Sequence, residues 1–236
     1  MNTILITRPE PAATHDAALW CQAGFDVVMA PLLTVNFIPV RLPDFKNYQA
    51  LITTSAQAIL ALAQLTTDRD FPLWCVGQSS AKVATDCGFQ QALTPIDSQE
   101  NALGLADSIV QYLTGPLLYL SGKHVQFNMV EALTEKGIQV DQVVLYETQP
   151  NKTVWHQMDH FFSTPHKKGV TFYSRRTAQV FKEYATTQPG FKVDKGCYAL
   201  ALSPEIANLI QPFFYEPPII ASTTTRLIAN LKQDVL

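Results

Sequence analysis

The sequence predicts an α/β protein of two domains, each built on a parallel sheet flanked by helices. First, apolar strands alternate with helical patterns of about ten to fifteen residues, the spacing of βαβ units. Second, strands such as ALITT and VTFYS are apolar throughout, which indicates burial on both sheet faces. Third, the order of elements in the first half of the chain recurs in the second half.

Composition supports a folded chain and argues against several classes of partner. Hydrophobic residues make up 47% of the 236 residues and charged residues 16%, which excludes a disordered composition. The net charge is -3 and no basic run is present, so we expect no nucleic-acid partner. Because the sequence has neither a signal-peptide pattern nor an apolar run of about 18 residues, we expect a cytoplasmic protein with no membrane contact.

The first block of elements defines the repeat. The strand TILITRP leads into a helix over residues 12–23, Gly24 ends that helix, and the strand DVVMAPLLT follows. The segment PLLYLSGKHVQFNMVEALTEKGIQVDQVVLYET has the same order of elements. In it Gly137 takes the place of Gly24, and Tyr146 lies near the end of its second strand.

Three further blocks of the first half also have partners in the second half. Ser55 and Ser174 each end an apolar strand and are followed by an Ala-Gln pair at slightly different offsets, at 56–57 and at 178–179. Ser79 and Ser203 stand where the next helices need an N-cap. The last pair of blocks is a short strand, a Ser/Thr-rich turn and an amphipathic helix. The two repeats therefore meet near Gly115.

The domains are predicted to divide elsewhere than the repeats. VNFIPVRLPDF is rich in proline and poor in helical signals, so it is a predicted linker, and YETQPNKT is the second candidate. The first domain then comprises 1–36 and 151–236, and the second comprises 41–146. The linkers are 37–40 and 147–150, and we expect a binding cleft between the two domains.

Small polar residues follow most of the predicted strands. Backbone N–H groups and the helix dipole make such positions suitable for anions, although a serine at a helix start is explained equally well by capping alone. Several such turns around one cleft would suit a ligand with several carboxylates or phosphates. The candidates are Ser55, Gln78, Ser79, Ser121, Gly122, Ser174, Ser203 and Thr224.

Four cationic residues and one tyrosine are further candidates. Arg8 ends the first strand, where it could bind a carboxylate through two hydrogen bonds or lie in solvent. Lys123 occupies the matching place in the second repeat, and Arg175 and Arg176 follow Ser174, at least one of them facing solvent. Tyr146 is either an aromatic plug at a strand end or a phenol that donates to a leaving hydroxyl.

Sequence motifs for cofactors and for hydrolysis are missing. There is no GxGxxG, no GxxxxGK[ST] and no GxSxG, so we expect no nucleotide cofactor and no serine hydrolase. Asp97 and Glu100 are the nearest candidates for acid–base carboxylates, but their position suggests first-turn helix acids.

Metal binding also has little support. His156 and His160 have the i, i+4 spacing of a zinc pair, but a solvated helix surface explains them as well. The four cysteines lack a CxxC pair and are predicted to be reduced thiols; they are Cys21, Cys75, Cys87 and Cys197.

An ordered set of motifs resembles uroporphyrinogen-III synthase. The motifs are ILITRP, ALITTSAQAI, WCVGQSSAKVATDCGF, LLYLSG, VVLYETQP, VTFYSRRTAQVF, ALSPEIA and STTTRLIANL. They follow the order of that family over essentially the whole chain. The resemblance implies two flavodoxin-like domains joined by a two-stranded linker, with the linear tetrapyrrole hydroxymethylbilane as the substrate between them.

The resemblance also implies an activity. The family closes hydroxymethylbilane, which carries eight carboxylates, into uroporphyrinogen III of the haem pathway. Water is lost and the last pyrrole, ring D, is inverted through a spiro intermediate. The family acts as a lyase and a monomer, with neither metal nor organic cofactor.

The resemblance assigns residues as well. Tyr146 matches the family tyrosine that assists loss of the hydroxyl, while Ser55, Gln78, Ser174 and Thr224 lie on turns that resemble its carboxylate-binding loops. The chain also departs from the family pattern. Arg175 stands where proline is common, Ser121 where the family often has Arg before glycine, and STTT replaces a Pro-Thr turn.

One alternative function stays open on the sequence alone. A binding protein of two lobes could clamp a small polyanionic ligand without any chemistry. Its sequence would have the same strands, helices and polar turns, so the two functions separate only in an assay.

Overall fold

The computed structural model of the chain describes residues 2–95, 101–164 and 168–235. The chain forms two compact units. The first comprises Met1–Thr34 with Gln149–Leu236, and the second comprises Val35–Thr148.

Strands and helices alternate along most of the chain. The strands are β1 (Thr3–Ile6), β2 (Asp26–Met29), β3 (Leu33–Phe37), β4 (Ala50–Thr53), β5 (Pro72–Cys75), β6 (Gln91–Leu93), β7 (Leu117–Gly122), β8 (Val140–Pro150), β9 (Lys168–Phe172), β10 (Cys197–Ala201) and β11 (Ile219–Ile220). The α-helices are α1 (Ala12–Gln22), α2 (Ala56–Leu65), α3 (Gln78–Asp86), α4 (Ala102–Tyr112), α5 (Met129–Thr134), α6 (Trp155–Ser163), α7 (Arg175–Thr186), α8 (Pro204–Ile210) and α9 (Thr224–Val235). This alternation confirms the predicted α/β class.

The first unit contains a five-stranded sheet whose strand order is β11-β10-β9-β1-β2. Every neighbouring pair is parallel. Successive side chains of β1 point to opposite faces, so that Leu5 joins one buried apolar cluster and Ile4 and Ile6 join another. The sheet is therefore buried on both faces, as its continuous apolar strands indicate.

The second unit contains a six-stranded sheet of order β3-β8-β7-β4-β5-β6. The strands from β4 to β8 pair in parallel. Strand β3 is antiparallel to β8. Two hydrogen bonds show this: the Asn151 N–H donates to the Leu32 carbonyl, and the Ile38 N–H donates to the Leu145 carbonyl. The expectation of a parallel sheet in each domain is therefore wrong here, and this sheet is mixed.

The length of β8 explains the mixed pairing. Its residues as far as Tyr146 pair with β7, and its later residues lie beside β3. The units separate at Thr34/Val35, within β3, and at Thr148/Gln149, within β8. The linker ranges 37–40 and 147–150 stay a prediction.

The segment DVVMAPLLT was expected to form one strand, and that expectation is wrong. Residues 26–29 form β2 of the first sheet, and residues 33–37 form β3 beside β8. Pro31 lies between them, and a proline has no N–H for a strand ladder.

Both sheets share one strand order assembled from both repeats. The first sheet is β2-β1-β9-β10-β11, and the parallel part of the second is β8-β7-β4-β5-β6. In each, two strands that begin one repeat stand beside three strands that end the other. Residues distant in sequence consequently meet at the carboxyl end of each sheet.

The helix boundaries agree with most of the sequence signals. Gly24 and Gly137 follow α1 and α5 with φ of 90° and 83°, the left-handed conformation that glycine adopts without strain. Ser79 does not cap a helix as expected. Helix α3 begins one residue earlier, at Gln78, and the extended residue Gly77 is its N-cap. Among the described residues no helix is long and apolar enough to cross a membrane.

Candidate functional site

In the second unit, Gly122 and Ser55 lie at the carboxyl ends of β7 and β4 and meet Tyr146, which lies within β8 where its pairing with β7 stops. Tyr146 on β8 pairs with Gly122 on β7, and Ser55 lies two residues after the end of β4. The Tyr146 hydroxyl donates to Ser55 Oγ at 2.9 Å. The Lys123 N–H donates to the Tyr146 carbonyl at 2.8 Å, which holds its backbone.

Tyr146 is partly buried, and its surroundings favour the protonated phenol. Burial raises the pKa of Tyr146 above its usual value near 10, and the hydrogen bond with Ser55 offsets part of that rise. A protonated phenol at neutral pH can donate a proton or a hydrogen bond to a leaving group. Carboxylate acids such as Asp97 and Glu100 lie outside the described residues.

A second tyrosine of this edge escaped the sequence analysis. The Tyr119 hydroxyl, buried on β7, lies 3.2 Å from Thr54 Oγ1. Burial raises the pKa of Tyr119, the Thr54 hydrogen bond lowers it in part, and nearby Tyr146 raises it. Its position inside an apolar strand gives no sign of this contact in the sequence.

The other predicted residues of the second unit have partners of their own. Gln78 Nε2 donates to Thr94 Oγ1 at 2.8 Å, and Ser79 lies exposed on the first turn of α3. Ser121 is buried and its hydroxyl accepts from the Gln142 amide at 2.8 Å. Lys123 forms an ion pair with Glu147 at 3.1 Å.

In the first unit, Arg8 and Thr224 meet at a buried carboxylate that the sequence did not single out. Arg8 Nη1 lies 2.8 Å from Asp16 Oδ2, and the Thr224 hydroxyl donates to Asp16 Oδ1 at 3.0 Å. The Arg8 guanidinium also stacks over the Tyr173 ring, 4.5 Å from its centroid. These contacts join the end of β1, helix α1 and the start of α9.

Tyr173 resembles Tyr146 in its protonation. Burial is the largest cause that raises the pKa of Tyr173, and the Asp16 carboxylate adds to it. The Thr224 hydroxyl and the Arg8 guanidinium act in the opposite direction. Each unit thus has a protonated phenol at the carboxyl end of its sheet.

The remaining candidates of the first unit are occupied by structural contacts. Ser174 accepts from Thr177 N–H at 3.1 Å, and Ser203 accepts from Ile206 N–H at 3.3 Å. Both are therefore N-caps, as Ser55 is for α2. Arg175, on the first turn of α7, forms an exposed ion pair with Glu205 at 2.7 Å.

The described residues contain no group of three or more His, Cys, Asp or Glu that could hold a metal ion. His156 and His160 line one concavity of about 400 Å³ together with Met29 and Phe161. All four cysteines are free thiols: Cys75 and Cys197 are buried, Cys87 is partly buried and Cys21 is exposed.

Comparisons with known proteins show a family and a fold. Residues 15–226 match the family model described as uroporphyrinogen-III synthase HemD. The structure is similar to uroporphyrinogen-III synthetase from Helicobacter pylori, with 19% identity, 100% of each chain covered and a TM-score of 0.68.

It is also similar to a mutant uroporphyrinogen III synthase from Thermus thermophilus, with 15% identity, 99% of this chain and 97% of that chain covered, and a TM-score of 0.57. At these identities the structures support the fold, and the family model supports the family. No curated protein matches the chain. The resemblance seen in the sequence motifs is confirmed.

Proposed function

The chain belongs to the uroporphyrinogen-III synthase family, enzymes that cyclise hydroxymethylbilane, and we propose that Tyr146 is its catalytic residue. One observation supports this role above the others. The Tyr146 hydroxyl lies at the carboxyl ends of the parallel strands β4 and β7, held 2.9 Å from Ser55 Oγ, and its raised pKa keeps it protonated. Ligands of α/β sheets gather at this end of the strands.

The proposed chemistry needs one proton at one oxygen. The Tyr146 phenol donates to the hydroxyl of the substrate's hydroxymethyl group as that group leaves as water, and an azafulvene cation remains. The cation is attacked by the substituted carbon of ring D, through a spiro intermediate, and the ring closes with that pyrrole inverted. The cyclisation releases the proton that restores the phenol, so the cycle consumes no acid.

Most of the protein's contribution is then to fold the flexible substrate so that the reacting carbons meet. Two classes of group would hold its carboxylates. Arginine and lysine side chains offer charged donors, and helix starts offer backbone N–H groups. In this proposal the binding residues are Arg8, Ser55, Gln78, Ser79, Ser121, Gly122, Lys123, Ser174, Arg175, Ser203 and Thr224.

The burial and the contacts of these residues indicate which of them are best placed to bind a substrate carboxylate. Arg8 is the best supported, because Asp16 fixes one guanidinium nitrogen at 2.8 Å while the side chain stays 32% exposed and has further N–H donors. Ser121 is the least supported, since its hydroxyl is buried and bonded to Gln142. We further propose that the enzyme acts as a monomer, which light scattering on the purified protein checks.

The function is tested by supplying enzymatically generated hydroxymethylbilane to the purified protein. We expect uroporphyrinogen III as the main product, measured as the ratio of type III to type I isomers after oxidation to porphyrins. Spontaneous closure gives type I. If only type I forms, the synthase function fails and a binding protein without chemistry becomes the better account.

The role of Tyr146 is tested by Tyr146→Phe. We expect about a hundredfold lower kcat, typical for loss of a general acid, with an unchanged circular dichroism spectrum. Tyr215→Phe is the matched control, because it removes the hydroxyl of a tyrosine that is 53% exposed and belongs to the other unit. Wild-type turnover of Tyr146→Phe would remove Tyr146 from the mechanism.

A further inference from the structure

We propose that Gly122 and Ser55 are positioning residues that fix the Tyr146 phenol before substrate arrives. Gly122 does so because it has no side chain, and Ser55 does so through its hydroxyl. This inference rests on the function proposed for Tyr146, and it adds a positioning role to the substrate contact proposed for both residues.

The contact between Gly122 and Tyr146 is the first support. A Cβ added at Gly122 would lie 2.6 Å from Tyr146 Cζ and 2.8 Å from both Cε2 and the hydroxyl oxygen. Such distances are too short for nonbonded atoms, so any side chain at residue 122 must displace the ring. The displaced atoms belong to the end of the ring that bears the hydroxyl.

The backbone cannot easily move to relieve that clash. Gly122 and Tyr146 are direct partners in the β7–β8 pairing, next to an irregularity between Ser121 and Gly122. The Lys123 N–H also donates to the Tyr146 carbonyl at 2.8 Å. Two adjacent strands therefore hold the ring and the glycine against each other.

The backbone conformation at residue 122 does not require a glycine. Gly24 and Gly137 have positive φ values, which favour glycine at a helix end. Gly122 is not among the glycines with positive φ. Space for the Tyr146 ring is thus the physical reason for a glycine at this position.

Ser55 fixes the hydroxyl from the other side. Its Oγ accepts from the Gln57 N–H at 3.2 Å, as the N-cap of α2, and from Tyr146 at 2.9 Å. The cap holds the serine rotamer on a helix end, so the acceptor for Tyr146 has a fixed position. The phenol oxygen is therefore confined between Ser55 and the backbone of Gly122.

The decisive variant is Gly122→Ala, and Gly169→Ala is its matched control. At Gly169, on β9 of the other unit, an added Cβ would lie 2.8 Å from Ile4 Cδ1 and 2.9 Å from Leu200 Cδ1. The overlap is similar in size to that at Gly122, but the overlapped atoms are the ends of flexible aliphatic side chains. Gly169→Ala should alter the melting temperature and leave kcat within twofold of wild type.

We expect Gly122→Ala to lower kcat at least tenfold with KM within threefold of wild type. In a Tyr146→Phe background the same substitution should lower kcat less than twofold further, because the group it displaces is already absent. Ser55→Ala should lower kcat in the same way, and Ser55→Thr, which keeps the hydroxyl, should lose less.

A readout without substrate separates this inference from the proposed function. In ring-labelled tyrosine NMR spectra, Gly122→Ala and Ser55→Ala should move the Tyr146 resonance, and Gly169→Ala should leave it in place. Unmoved Tyr146 resonances, or losses of kcat that are fully additive with Tyr146→Phe, would overturn the positioning role. Moved resonances in a protein that forms no uroporphyrinogen III would instead refute the function and leave the positioning geometry intact.

Discussion

The Asp16→Asn substitution tests the buried contact that joins Arg8 to Thr224. The Asp16 side chain is 4% exposed and that of Arg8 is 32% exposed. Asparagine keeps a carbonyl oxygen for the Thr224 hydroxyl, which lies 3.0 Å away, but it loses the charge that faces Arg8 at 2.8 Å. The substitution therefore removes the ion pair and retains one hydrogen bond.

The expected loss of stability is moderate. Breaking a fully buried ion pair costs about 3–5 kcal/mol, but Arg8 reaches solvent and regains hydration, so we discount this to about 1–2 kcal/mol. For a chain of this length each kcal/mol lowers the melting temperature by about 2–4 °C. We expect Asp16→Asn to melt about 2–8 °C below wild type, and Asp16→Ala lower still, because the Thr224 hydroxyl then loses its acceptor.

Thermal unfolding followed by circular dichroism gives the measurement. The matched control is Asp86→Asn, which breaks an i, i+4 pair with Lys82 whose side chains are 61% and 75% exposed. That control should melt within about 1–2 °C of wild type. A double-mutant cycle of Asp16→Asn with Arg8→Ala should give a coupling of about 1 kcal/mol. A coupling of zero, or a wild-type melting temperature for Asp16→Asn, would refute the ion pair as a stabilising contact.

Two further predictions concern protonation. Because burial raises the pKa of Tyr146, the phenol stays protonated below its usual value near 10, and both its stabilising effect and its acid function are lost only above that pH. The pH profile of kcat should accordingly show a decline assigned to Tyr146 only above about pH 10, absent in Tyr146→Phe; a Tyr146-dependent decline near pH 8 contradicts this. Burial raises the pKa of Cys75 to about 12, so at pH 8 about one thiol in ten thousand is a thiolate. Iodoacetamide should label exposed Cys21 first and Cys75 only after unfolding, as read by peptide mass spectrometry, and rapid labelling of native Cys75 would contradict its burial.

The sequence predicted the order of strands and helices well because each element has a local signal. Gly24 and Gly137 end helices at positive φ, and Ser55, Ser174 and Ser203 are N-caps with an N–H bound to the hydroxyl. Such capping signals depend on a few neighbouring residues, so they can be recognised in the sequence before the fold is known.

The pairing of β3 could not be predicted in the same way. The partner of an edge strand is set by hydrogen bonds to residues distant in sequence, here the later part of β8. Its burial alternates weakly from Leu33 to Phe37, and the prolines around it favoured a linker. Local patterns contain no information on which strand lies alongside, so the direction of β3 had to come from the structure.

The candidate site was predicted only in part, because contacts between residues distant in sequence leave little local signal. Tyr146 stood out because it lies near the end of a predicted strand, whereas Asp16 lies within a helix and was not singled out. A signal was present: Ala13, Asp16 and Trp20 follow helical spacing and all three are buried. An acidic residue on an otherwise apolar helix face indicates a buried partner, and Arg8, eight residues earlier, is that partner.

The ion pairs at the strand ends affect how a carboxylate-rich substrate could be held. Arg8 is paired with Asp16, Lys123 with Glu147 and Arg175 with Glu205, so these cations are largely neutralised by neighbouring carboxylates. A strong positive field is therefore a poor explanation for recognition in a protein of net charge -3. The remaining donors for substrate carboxylates are backbone N–H groups at helix starts and hydrogen-bonded guanidinium groups. The strength of their hydrogen bonds depends on direction more than on the total charge of the protein. A substrate that must be folded into one conformation before it closes is better served by such directional donors, because each one binds a carboxylate only at a defined position.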